Sequence, residues 1–396
     1  MRASLGKWIW VHKWSSLVCT VFLLVLCLTG LPLIFKEEIN DLLDTDPPYE
    51  SMPAETQPAS LDTLMGISQQ LYPGQIVTSI FIDDDEPQTI VTMAPSWQAV
   101  NENPRSAHWI KFDSRTAKVL KRSELSAAGG YTFMGVMLIL HREMFAGLAG
   151  ELFLAVMGLL FVVAIVSGIV IYAPFMRKLD FGEVRRSRSR RTKWLDLHNL
   201  LGAATAMWVF VVGLTGVINE LSTPMIGLWL MTDVKVMLAP MKGKPAPSPH
   251  DLSSPQAALD TAKQALPGMI PTFMIFPGAQ RGSPWHYAVQ AKGNEPLSSR
   301  LVSIAAVDGK DGTLFGVVQM PWYLRVLELS RPLHFGDYGG MPLKILWALL
   351  DIVTIVILAS GLYLWLAKRS SAKAVAKKLA ANDAATLPVM RTDAAE

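Results

Sequence analysis

Four long runs of almost uncharged residues limit what this chain can fold into: Leu17–Phe35, Leu152–Tyr172, Leu200–Leu221 and Ile345–Leu366. Each approaches the ~20 residues that a helix needs to cross the hydrocarbon of a bilayer. Asp351 inside the fourth run and Glu220 near the end of the third are the exceptions. Hydrocarbon offers no water to a free backbone group, so each run must close its own hydrogen bonds as a helix. The rest of the composition agrees: 51% of the 396 residues are hydrophobic and only 17% are charged.

Charge then orients the spans. Arg177, Lys178, Arg185, Arg186, Arg188, Arg190, Arg191 and Lys193 crowd the connection between the second and third runs. Lys368, Arg369, Lys373, Lys377 and Lys378 follow the fourth run, and Arg2, Lys7 and Lys13 precede the first. Basic short segments stay in the cytoplasm. Both termini and the short connection are therefore expected inside, and the long connections, roughly 37–140 and 221–335, outside. A net charge of +3 gives no reason to expect a nucleic-acid partner. The first run is too long for the apolar part of a signal peptide, and no small-x-small site follows Gly30 before Lys36, so it is read as retained.

Cys19 and Cys27 both lie in the first run, too far apart on one helix to close a disulfide. There is no Cys-x-x-Cys-His, which excludes covalent haem attachment of the c type, and thiolate-built zinc or iron–sulfur sites are excluded too.

Histidines reveal an internal duplication. Trp8 precedes His12 by four residues, and Thr29-Gly30 follows; Trp194 precedes His198 by four, and Thr215-Gly216 follows at the same offset. His141 is followed by Gly147 and by Ser167-Gly168, and His334 by Gly340 and Ser360-Gly361, again at matching offsets. Residues 1–178 and 190–369 thus form two halves of like orientation, related by a pseudo-two-fold axis along the membrane normal.

The external segments echo each other as well. Helices are expected near Leu61–Leu71 and Pro255–Leu266. Alternating strands such as Ile76–Ile82 and Trp285–Gln290 follow, with turn chemistry after Asp113 and at Asp308-Gly309. Proline-rich stretches, Pro47–Pro58 and Pro245–Pro255, lead into them. Tyr131–Leu140, Met320–Leu329 and Pro224–Met237 are apolar but too short to span, and are expected along the outer interface.

The expected fold is an all-α four-helix transmembrane bundle with two small periplasmic α+β modules and an internal two-fold repeat. Its parts are a first span (1–36), module one (37–140), a second span (141–176) and a basic cytoplasmic loop (177–193). A third span (194–221), module two (222–333), a fourth span (334–369) and a disordered tail (370–396) follow.

Four of the seven histidines sit at span ends, His12 and His198 at the inner face, His141 and His334 at the outer. Neutral imidazole is a standard axial ligand of haem, and facing helices of a bundle can offer two. Two such pairs would hold two b-type haems with bis-histidine iron, suited to electron transfer. A divalent-metal transport site competes, but it would want carboxylates near the midplane, where the one candidate is Asp351. Arg142, next to His141, suits a haem propionate or a lipid headgroup; opposite it stands Phe335, with Arg331 as a substitute. His250 reads as solvated, and His108 and His286, each beside a tryptophan, as candidates for ligand contact.

Leu140-His141-Arg142…Gly147 with Ser167-Gly168, Leu333-His334…Gly340 with Ser360-Gly361, and the Trp…His starts resemble the PepSY-associated transmembrane helix proteins. Phe112-Asp113…Thr116 and Val307-Asp308-Gly309 resemble their PepSY domains. Within that family the chain is similar to di-haem siderophore-iron reductases of the bacterial inner membrane, of the ferrioxamine type. That resemblance implies that His12 and His198 hold one haem and His141 and His334 another, with a ferric siderophore as periplasmic substrate and the lipid bilayer as partner. No Rossmann or flavin motif is present, so the donor would be a cytoplasmic partner or a quinol. The same resemblance leaves room for a PepSY-type regulator without redox activity, or a metal or haem transporter.

Overall fold

A computed structural model describes residues 2–43, 47–53, 55–103, 106–123, 132–176, 183–185, 187–278, 283–295 and 299–385. Along the chain come α1 (Arg2–Ile34), α2 (Lys36–Leu43) and α3 (Leu61–Leu71), then β1 (Ile76–Ile82), β2 (Gln88–Ala94), α4 (Trp97–Glu102), β3 (His108–Asp113) and β4 (Val119–Arg122). Next are α5 (Phe133–Arg142), α6 (Gly147–Met176), α7 (Arg190–Glu220), α8 (Ser222–Trp229) and α9 (Lys235–Leu238), with a π-helical turn over Leu230–Val234. The chain continues through α10 (Pro255–Ala265), β5 (Met269–Ile275), β6 (His286–Gly293), β7 (Val302–Asp308), β8 (Leu314–Gln319), α11 (Trp322–Phe335) and α12 (Gly340–Ala385). They divide into two units, a helical one (1–36, 134–220, 333–396) and a sheet unit (37–133, 221–332).

In the helical unit, Leu5–Ile34, Gly147–Pro174, Arg190–Glu220 and Asp337–Lys368 are long and apolar enough to cross a membrane. Within this unit α1 packs on α6 and α12, and α7 packs on the same two helices. Cys19, Leu23, Met157 and Leu358 bring α1, α6 and α12 together at a buried core. The Cys27 side chain of α1 lies beside Asp351 of α12.

Two expectations are corrected. His141 and His334 were placed on the span helices, yet each lies in the last turn of a shorter helix, α5 or α11. Left-handed backbone at Met144, Phe145 and Gly147 separates α5 from α6, and Gly336 and Gly340, also at positive φ, separate α11 from α12. Residues 370–385, expected to be disordered, continue α12 as helix; their Ala, Lys and Leu content has high helix propensity. Residues 386–396 lie outside the described residues, as do Arg177, Lys178 and Arg186 of the basic loop.

In the sheet unit the two expected modules share one eight-stranded antiparallel sheet, ordered β4-β3-β2-β1-β5-β6-β7-β8. The join is β1 against β5, with Ser79 opposite Ile275, Ile80 opposite Met274 and Phe81 opposite Phe273. Alternating residues bury one face: Ile80, Val91, Phe112, Met274, Tyr287, Val289 and Val307 pack beneath Leu64 of α3 and Leu259 of α10. Ser60 caps α3 through Asp62 N, and Ser254 caps α10 through Ala257 N. Ser254 Oγ also donates to Asp62 Oδ2 (2.6 Å), tying the two helices together. The β3–β4 and β7–β8 turns are built alike. Asp113 Oδ1 accepts from Arg115 N and Thr116 N, and Asp308 Oδ1 from Lys310 N and Asp311 N. Each turn closes on a residue at positive φ, Ala117 or Gly312.

Candidate cofactor site

All four span-end histidines dock in the same way. A helical carbonyl oxygen accepts its usual N–H from the residue four positions on and keeps a second lone pair. Here that residue is glycine each time, so nothing shields the lone pair and an imidazole can reach it. His12 Nδ1 lies 2.8 Å from Ala164 O, and a Cβ on Gly168 would stand 3.1 Å from its Cε1. His141 Nδ1 lies 3.0 Å from Leu26 O over Gly30, and His334 Nδ1 3.0 Å from Val212 O over Gly216, each again with 3.1 Å to a glycine Cβ. His198 Nδ1 lies 3.1 Å from Ile357 O over Gly361, a looser fit of 3.4 Å. The residue before each glycine adds a hydroxyl near the same nitrogen: Ser167 at 3.5 Å, Thr29 at 3.1 Å, Thr215 at 3.4 Å and Ser360 at 2.8 Å.

A carbonyl only accepts, so each Nδ1 carries the proton and donates it. The tautomer is thereby assigned, and Nε2 is left with its lone pair, the arrangement that holds a histidine ready for a metal. The docking is reciprocal: α1 carries His12 and receives His141, α7 carries His198 and receives His334, and α6 and α12 receive the other two rings.

The rings then meet in pairs. His12 and His198 have centroids 6.5 Å apart at an interplanar angle of 68°, and His141 and His334 are 6.2 Å apart at 60°. Two imidazoles sharing one metal through bonds of ~2 Å would hold their centres on the order of 6 Å apart. The spacing, the free Nε2 atoms and the glycine cradles would let each pair of rings hold one metal centre between them. His12 and the Leu26 carbonyl that receives His141 lie ~21 Å apart in axial rise along α1, at ~1.5 Å per residue. The pairs therefore occupy opposite ends of the bundle.

Charged groups flank both pairs. Near the first, the buried Asp196 accepts from Arg185 N (3.0 Å), Nε (3.0 Å) and Nη2 (2.7 Å). Beside the second, Arg142 Nη2 donates to the buried Glu151 Oε1 at 2.7 Å. Arg331 pairs with Glu328 on its own helix. His108 and His286 are buried in the sheet unit. His108 Nε2 lies 2.6 Å from Gln75 Oε1, and His286 Nδ1 lies 2.7 Å from Ser283 Oγ. His250 is exposed in a turn. Among the described residues, the one cluster of three metal-type side chains with ligand atoms within 4.8 Å of one another is Asp83–Asp85, an acidic loop of the sheet unit.

In the sequence the Ser/Thr-Gly pairs serve as duplication markers and as part of the family resemblance. Their role as histidine docks was missed, although their fixed offset from each histidine is the signal that could have found it.

Four spans long and apolar enough to cross a membrane, with histidines paired toward both ends of the helical unit, and an antiparallel sheet packed against two helices define a multi-span membrane protein. The model of the PepSY-associated TM region matches residues 9–368, and the chain belongs to that family. A Pseudomonas aeruginosa protein described as "Uncharacterized protein PA4219" is 28% identical over 264 residues. The match covers 60% of this chain and 64% of that protein, so the chain spans less than two thirds of its relative.

Proposed function

We propose that this chain is a di-haem electron-transfer protein of the bacterial inner membrane that reduces a ferric siderophore, or another Fe(III) chelate, at the periplasmic face. The observation that carries the reading is the fourfold docking of histidines through Nδ1, with Nε2 free and the rings paired at 6.5 and 6.2 Å. In this reading the chain is a tandem duplication, and each pair takes one histidine from each half. His12 and His198 hold one haem at the cytoplasmic end, where the basic loop and both termini lie, and His141 and His334 hold the other at the periplasmic end. A bis-histidine haem supplies a one-electron carrier whose iron has no open position.

The residues' part is to fix that carrier. Carbonyls of Ala164, Leu26, Ile357 and Val212 set the imidazole tautomer, and the glycines set ring depth. Hard oxygen donors hold Fe(III) far better than Fe(II), so one-electron reduction of the chelate labilises its iron without acid–base catalysis by a side chain. Electrons come from a quinol or a cytoplasmic partner.

Purified in detergent, the protein is expected to be red, with a Soret band, sharp α-bands on dithionite reduction and about two haems per chain. His12→Ala and His198→Ala should remove the same haem, and His141→Ala and His334→Ala the other. Ferric siderophore, but not apo-siderophore, should re-oxidise the reduced protein. A colourless preparation from haem-replete cells would leave a PepSY-type binding protein as the better reading.

A further inference from the structure

Two helical segments, α11 and the stretch from α8 to α9, turn large apolar side chains to the outside. On α11, Trp322 is 76% exposed, and Val326, Leu329 and Leu333 are exposed with it. These follow one another at i, i+4, i+7 and i+11, one stripe of a helix. The opposite face of α11 is buried through Leu324 and Leu327. The second segment is the helical stretch of α8, the π turn and α9, where Leu228, Met231 (68%) and Val236 (74%) are exposed while Trp229 is buried. The segments lie side by side: the Tyr323 hydroxyl lies next to Thr232. Met237 meets Gly316 of β8, which seats the second segment on the sheet. A surface helix in water shows its polar face outward; α11 does the reverse, and the second segment sets its exposed apolar residues among Thr232, Asp233 and Lys235.

Chain continuity says what covers them. α8 starts at Ser222, directly after the membrane span that ends at Glu220. α11 ends at Phe335, directly before the span that starts at Asp337, and its last turn carries His334, whose ring is docked on α7. Both segments are therefore tethered to a span at one end, the first through Phe335 and the second through Ser222. A helix with tryptophan and aliphatic residues on one face, tethered at the membrane surface, lies in the headgroup layer.

We propose that α11 and the 222–238 segment form a lipid-binding foot, inserting Trp322, Val326, Leu329, Met231 and Val236 into a membrane leaflet. Its ligand is the acyl-headgroup boundary of the bilayer itself. The proposal does not depend on the histidine pairs.

Site-directed spin labelling of the full chain in phosphatidylcholine nanodiscs tests it. Labels go on Trp322→Cys and Val236→Cys in a Cys19→Ala, Cys27→Ala background, with Lys263→Cys on α10 as the aqueous reference. Elution volume and thermal midpoint check folding, and Met231→Cys replaces a variant that fails. At 322 and 236, collisions with oxygen should exceed those with a water-soluble nickel chelate, giving a ratio above that at 263. A nickel-dominated ratio at both sites overturns the proposal. So does spin–spin broadening there that disappears on dilution with unlabelled chain, which assigns the patch to a second copy instead.

Discussion

His141 Nδ1 and the carbonyl oxygen of Leu26 stand 3.0 Å apart across 115 residues of chain. One backbone acceptor on one span fixes the ring of a histidine carried by a different helix. The same relationship recurs for His12, His198 and His334.

The glycine beneath each ring should therefore matter unequally. Alanine at Gly30, Gly168 or Gly216 puts a methyl 3.1 Å from the imidazole, and at Gly361 only 3.4 Å. On the proposed di-haem reading, Gly30→Ala and Gly216→Ala are expected to lower haem occupancy at the His141–His334 pair, and Gly168→Ala at the other pair. Gly361→Ala should stay near the parent. Cofactor content per chain and the reduced α-band of each variant give the ranking; equal losses in all four would contradict it.

Asp196 is nearly inaccessible and depends on Arg185 for three hydrogen bonds. Arg185→Ala removes the guanidinium and two of these three bonds from a buried carboxylate and should lower the thermal midpoint. Asp196→Asn in the same chain should recover part of that loss, because it removes the uncompensated charge. Thermal midpoints of the two single variants and the double variant measure the coupling.

Trp97 Nε1 donates to Pro277 O (2.9 Å), and Gly278 sits next to it at φ 105°. A Cβ there would strike the Trp97 indole. Gly278→Ala meets both a forbidden backbone region and that ring, and a loss of at least ~2 kcal/mol is expected. Slowed proteolysis or an unchanged midpoint would contradict it.

Burial holds His108 and His286 below the usual histidine range. The folded state then binds fewer protons than the unfolded chain as pH drops below about 6.5, so stability declines with acidification there. The slope is bounded at ~1.4 kcal/mol per pH unit for each histidine. Hydrogen exchange of the β3 and β6 amides between pH 7 and 5 should speed up beyond the intrinsic trend, and less so in a His108→Gln, His286→Gln chain.

Much of this was legible from local pattern. α3 was expected over Leu61–Leu71 and is found there, because an amphipathic 3.6-residue period bounded by a Ser cap is a strong local signal. β1 was expected over Ile76–Ile82 and found there for the analogous reason, a period of two. The break between α5 and α6 was not legible. It falls on Met144 and Phe145, residues with no preference for positive φ, and only the surroundings hold them there.

Sequence alone determined the four spans, the two α+β strings and the four histidines at recurring offsets, since all of these follow from runs and periods within a few turns of chain. Tertiary structure decided that the two strings share one sheet through β1 and β5, which no local residue specifies because any free strand edge offers the same hydrogen bonds. It also decided which carbonyl each histidine finds. That choice depends on helices more than a hundred residues apart packing closely enough for a glycine to admit a ring, and it turns four matching histidines into two facing pairs.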